Sequence, residues 1–171
     1  MFLDACRIST VLLQQYRSRL KDRMNLVVPL LDALISRLFG HANGLKKQRK
    51  GLTTRHARVL SRLLQLLCNP PQMRSRPKTS DLVDDARKAQ AHVGQYVQFV
   101  LHHYCKQVLE GTLADGVSDA IRSGLWAMIE AMQVNDANAR FVLSAAMSSG
   151  EREQLSRVYY DYETFGKGKS G

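Results

Sequence analysis

Between Ser80 and Val108 apolar residues return every three or four positions, at Leu82, Ala86, Ala89, Val93, Tyr96 with Val97, Val100, Tyr104 and Val108. That spacing predicts one amphipathic helix of about 27 residues, a rod of about 40 Å. Ser80 opens it, and Asp81, Asp84 and Asp85 stand in and just after the first turn, where the helix dipole favours negative charge. Gly94 sits inside the rod, and a mid-helix glycine costs about 1 kcal/mol. The expected compensation is a second helix packed closely at that point.

Runs of this kind dominate the chain over alternating ones, and only 4 Pro and 11 Gly interrupt 171 residues. The fold class is therefore all-α, in a single domain with 44% hydrophobic residues to build its core. Phe2 to about Leu20 is expected to turn Ala5, Ile8, Leu12, Tyr16 and Leu20 inward, with Arg17, Arg19, Lys21 and Arg23 as a solvated last turn. Leu26 to Phe39 is apolar on nearly every side and reads as an enclosed helix, with Pro29 in its first turn and Gly40 closing it. Thr53 or Thr54 caps a helix to about Asn69 that buries Ala57, Leu60, Leu63, Leu64 and Leu67. After the Gly111 to Gly116 turn, Val117, Ile121, Leu125, Met128 and Met132 form an inward stripe widened by Trp126 and Ile129. Asn135 or Asp136 is expected to cap a short helix through Phe141, Val142 and Ala145 to Met147. Ser148 and Glu151 then have capping-box spacing ahead of a last helix that turns Leu155, Val158, Tyr159 and Tyr162 inward. About seven helices in antiparallel pairs suit an irregular bundle or the terminal cap of an α-solenoid.

Charge is distributed unevenly over this frame. From Ala33 to Ser80 there is no Asp or Glu, yet 11 of the 25 Lys and Arg lie there, and the remainder of a chain of net charge +10 sums to −1. Lys46, Lys47, Arg49 and Lys50 occupy a polar loop over 41–51, and Arg74, Arg76 and Lys78 a Pro-containing linker over 69–80. Between them Arg55, Arg58 and Arg62 fall within about 60° of one another on the outer face of the intervening helix. A concentrated positive field of this kind attracts polyanions, and phosphate contact suits it better than base stacking, since no Phe, Tyr or Trp lies between Gly40 and Gln95.

Other chemistry has little support. Cys6, Cys68 and Cys105 are far apart within helical patterns and read as buried thiols of a reducing compartment. His102 and Cys105 lack the further ligands a metal site needs. There is no phosphate-cradling glycine loop and no nucleophile elbow. The start of the chain, broken by Asp4 and Arg7, does not read as an export signal, and no run is apolar enough to span a bilayer. The expectation is a non-enzyme without cofactor, metal, membrane or small-molecule substrate.

Three stretches together carry a family likeness: Ala57 to Leu64 with Leu67-Cys68, Gly94 to Leu101 with Tyr104-Cys105, and Met147 to Arg152 with Tyr159-Tyr160-Asp161-Tyr162 and Phe165-Gly166-Lys167. Gly124-Leu125-Trp126 also fits. In these the chain resembles, from about Leu26 to Gly171, the C-terminal domain of the nucleolar proteins called unhealthy ribosome biogenesis protein two. The resemblance implies a role in early assembly of the large ribosomal subunit and in maturation of its precursor RNA. It also implies partners among other assembly factors, including a large helical scaffold protein and an RNA helicase. Relatives are very long helical proteins, so this chain is expected to be a fragment or truncated form. The scaffold reading places RNA phosphates on the basic block. The alternative is a protein-docking cap, with Tyr160, Phe165 and Lys167 as contact candidates and the basic block serving nuclear import alone; residues 166–171 are expected to form a flexible tail.

Overall fold

In the computed structural model, residues 1–40, 52–69 and 79–167 are described, with side chains omitted over 79–84. The chain runs as α1 (Phe2–Gln15), a single turn α2 (Arg17–Leu20), a 3-10 turn (Lys21–Arg23) and α3 (Met24–Leu38). It continues as α4 (Thr54–Cys68), α5 (Thr79–Glu110), α6 (Val117–Asn135), α7 (Ala139–Ala145), α8 (Ser149–Asp161) and a π-helical turn (Tyr162–Gly166). Apart from α2 these are the seven expected helices, and the described residues contain no strand. Gly40 and Thr112 exchange two backbone hydrogen bonds of 2.8 and 2.9 Å, which tie the end of α3 to the end of α5. No described helix is long and apolar enough to cross a membrane.

α6 is the centre of the domain because both its faces are covered, one by α4 and the other by α5. It buries Val117, Ile121, Leu125, Met128, Ile129 and Met132, together with the small residues Gly124, Ala127 and Ala131. Those small residues let neighbouring backbones approach. At Gly94 of α5 an added Cβ would lie 2.1 Å from the Ala131 carbonyl oxygen, so the expected close helix is α6. At Gly124 it would lie 2.9 Å from the Ser61 Cα of α4. There the Gly124 N–H donates to Ser61 Oγ at 2.9 Å, which gives a hydroxyl only 2% exposed the partner that burial requires.

Helix ends follow their sequences in two cases. Thr53 caps α4, with its hydroxyl 2.9 Å from His56 Nδ1. Ser148 and Glu151 form the capping box of α8, through Ser148 N–H to Glu151 Oε2 at 2.7 Å and Glu151 N–H to Ser148 Oγ at 3.4 Å. The backbone bond at Ser148 holds the Glu151 carboxyl below its ordinary range.

Elsewhere the structure corrects the sequence reading. α1 buries Cys6, Ser9 and Leu13, while Ile8, Leu12 and Tyr16 are exposed, so the helix is rotated by about one residue from the face expected. Ser9 can lie inward because its hydroxyl donates to the Ala5 carbonyl at 2.8 Å. α3 begins at Met24, which puts Pro29 in its second turn rather than its first. Pro29 and Asn25 are both exposed, so water can replace the hydrogen bond that proline forfeits. α3 is not enclosed either, for Leu26 is 62% and Leu30 39% exposed. α7 is capped by Asn138, whose N–H donates to Asp136 Oδ1, while Asn135 still belongs to α6. It buries Ala139 and Leu143, leaving Phe141 and Val142 outside.

Arg17 is the largest local departure. It is half-buried, not solvated, and its guanidinium donates to the Leu66 carbonyl at 2.9 Å and also to the Leu67 carbonyl. These belong to the last turn of α4, whose carbonyls have no partner within the helix and carry the negative end of its dipole. We expect Arg17→Met to lower stability by about 2 kcal/mol, the scale of a charged hydrogen bond, in urea unfolding. Arg23→Met, at an exposed position nearby, is expected to change it by less than about 0.5 kcal/mol.

Candidate nucleic-acid interface

α4 separates its residues cleanly. Ala57, Leu60, Ser61, Leu63, Leu64, Leu67 and Cys68 are buried against the domain, and Arg55, Arg58 and Arg62 are exposed on the opposite side. The helix lies between α1 and α6, which hold its orientation and leave the arginine face outward. Among the described residues no carboxylate comes within ion-pair distance of these three guanidinium groups. Some other cations are paired: Arg122 with Asp119 at 2.6 Å and Asp161 at 2.8 Å, Arg157 with Glu153 at 2.5 Å, Lys106 with Glu110 at 3.8 Å. The difference follows from the sequence, since no acid lies within 33–80 to fold back onto α4. A planar guanidinium with free donors is suited to bidentate contact with phosphate. Lys46, Lys47, Arg49, Lys50, Arg74, Arg76 and Lys78 lie outside the described residues.

The outer face of α4 does not end in charge. Arg58, Arg62, Gln65 and Asn69 follow one another by four, three and four residues, the spacing of a single helical stripe about 16 Å long. Gln65 and Asn69 line a groove of about 570 Å³ together with Ser123, Trp126, Ala127, Glu130 and Gly166. Ser123 Oγ also lies 2.9 Å from Ser61 Oγ, so the Ser61–Gly124 contact sets the width of the α4–α6 seam beneath the groove. Asn69 Oδ1 accepts from Gln90 Nε2 at 2.9 Å, and the Gln65 amide has no partner among the described residues. The Trp126 indole N–H is buried without an acceptor there. The absence of aromatics between Gly40 and Gln95 led to no ring being expected near the basic block; tertiary packing supplies Trp126 from α6. The small residues Ser61 and Gly124, which let the two helices meet, were the available signal.

The C-terminal candidates separate. Tyr160 is 70% exposed and lines a second groove, of about 660 Å³, with Tyr104, Val108, Arg122, Leu125 and Arg157. Phe165 and Lys167 are exposed but do not line it. Tyr159 and Tyr162 are buried, Tyr159 beneath the Arg140 guanidinium at 4.8 Å, and Gly166 is buried as well.

The remaining reactive side chains face inward. Cys6, Cys68 and Cys105 are free and buried, and burial pushes Cys6 up to about 11 and Cys105 up to about 12, far from a reactive thiolate. His102 Nε2 approaches Glu151 Oε1 at 3.4 Å, while the Cys105 thiol is buried. Ser36 Oγ lies 2.6 Å from His103 Nε2 between α3 and α5. Asp32 is nearby, its carboxyl raised by burial against the opposing effect of His103, but no hydrogen bond joins it to the imidazole. The Ser36–His103 contact joins α3 to α5.

The sequence model of the Urb2/Npa2 family matches residues 1–170. The match reaches further toward the N-terminus than the likeness of individual motifs does. No curated protein and no solved structure matches the chain.

Proposed function

The chain belongs to the Urb2/Npa2 family, and on that premise we propose that it is a non-catalytic helical scaffold module of ribosome biogenesis, contacting precursor-RNA phosphates through α4. The observation that carries this reading is the outward face of α4, where Arg55, Arg58 and Arg62 stand exposed and, among the described residues, without a carboxylate partner, on a helix that packs against α1 and α6. Charge placed in this way costs no carboxylate partner when a phosphate arrives, and it positions a polyanion without reading its sequence. The family points to early large-subunit assembly in the nucleolus. There the module acts beside other assembly factors, a large helical scaffold protein and an RNA helicase among them, and needs no cofactor.

Ultraviolet crosslinking of the chain in nuclear extract, with adducts mapped by mass spectrometry, tests this. We expect nucleotide adducts on peptides spanning 54–69. Capture of protein partners that survives nuclease and high salt, with no nucleotide adduct on α4, would overturn it. That outcome favours the second reading, a docking cap, which rests on Tyr160 at 70% exposure beside its groove.

A further inference from the structure

We infer that the groove between α4 and α6 takes an unpaired RNA base, so that the ligand of the basic face is single-stranded RNA rather than duplex. The inference rests on the phosphate reading of Arg55, Arg58 and Arg62 and adds the chemistry of the groove beside them.

The outer stripe of α4 changes character along its length. Arg58 and Arg62 come first, and one turn later Gln65 and Asn69 lead into the groove. An amide presents a donor and an acceptor side by side, the pattern that matches the edge of a nucleobase. The Gln65 amide is unpartnered among the described residues, and Asn69 uses its oxygen toward Gln90 while its NH₂ keeps its donors. Trp126 brings an indole to the same groove, its own N–H buried away from solvent. Glu130 lines the groove as well. None of the described residues that line the groove is cationic, so the phosphates of a bound strand stay on the arginines and the part that enters is a neutral base. A base held in an A-form duplex keeps its Watson–Crick edge paired and its faces stacked and cannot enter such a groove; an unpaired base can be splayed into it. Contact with an aromatic ring is the usual companion of phosphate contact in single-strand binding.

Trp126 is the single tryptophan of the chain and lines both grooves, so its emission reports either, and a variant at Gln65, which lines only the α4–α6 groove, assigns the change. The full chain is titrated with an end-labelled single-stranded RNA of about 12 nucleotides, and with a duplex RNA carrying the same number of phosphates. Anisotropy follows binding while Trp126 fluorescence follows occupancy. We expect the single strand to bind on the order of tenfold more tightly than the duplex and to quench Trp126, and the duplex to leave the emission unchanged. Gln65→Leu, a half-buried position at the groove, is expected to retain native far-UV circular dichroism. It should lose the preference for the single strand but keep the salt dependence. Equal affinity for both RNAs with unchanged Trp126 emission would overturn the base-binding inference and leave the phosphate reading standing. Quenching by polyglutamate as strong as by RNA would overturn it in favour of an acidic protein segment. Failure to bind either RNA would remove both readings.

Discussion

Gly94→Ala is expected to destabilise the domain by about 3 kcal/mol, although alanine is the better helix former by about 1 kcal/mol. The added Cβ would meet the Ala131 carbonyl oxygen at 2.1 Å and the Asn135 Cβ at 2.9 Å. Neither neighbour has a freely moving end; one is backbone in the last third of α6 and the other is the Cβ of its last residue. Relief requires α5 and α6 to part along a seam that includes Val97, Leu101, Met128 and Met132, all buried. Loosening that seam exposes apolar surface on both central helices, and the cost exceeds what propensity returns. In a chain of this length the loss corresponds to a fall in Tm of roughly 10 °C. Gly150→Ala is the control, since its Cβ would meet only Leu109 Cδ1 at 3.1 Å, the end of a side chain that can rotate. That variant is expected to stay within about 1 kcal/mol of the native chain. Urea unfolding of the two proteins side by side checks the pair, and equal stability would contradict the close approach of α5 and α6.

Replacing Arg55, Arg58 and Arg62 together by glutamate is expected to weaken binding of single-stranded RNA on the order of 30-fold near 50 mM salt. Three phosphate contacts account for a fall of about 20- to 40-fold in affinity when salt rises from about 50 to 200 mM, and the reversed face forfeits that attraction and replaces it with repulsion. Helicity should change little. None of the three side chains is buried or bonded to a carboxylate among the described residues, and the packing of α4 rests on its leucines. The variant therefore separates recognition from folding, which the loss of a core residue does not.

How much of this was legible in the sequence depends on how cleanly each helix divides. α4 carries arginines on one side and leucines on the other, so one assignment of its faces was possible, and it holds. Gly94 was legible for a different reason: a glycine within a long helix needs a compensating contact, and α6 provides one. α1 and α7 each offer two competing apolar stripes. In α1, Ala5, Ile8 and Leu12 have the same spacing as Cys6, Ser9 and Leu13, and only the position of α4 selects the second set. Arg17 and Trp126 were beyond reach because their roles depend on groups 49 and about 60 residues away, Leu66 for the first and the outer face of α4 for the second. Periodicity describes one helix at a time; the groove belongs to two.

The central claim is that the arginine face of α4 exchanges bound counterions for RNA phosphates. The most direct measurement is the slope of log affinity against log salt for the native chain and for the Arg55, Arg58 and Arg62 reversal. The account expects the native slope to be steeper by about 2 to 3, the value for three phosphate contacts. Identical slopes would place the RNA elsewhere on the molecule and contradict it.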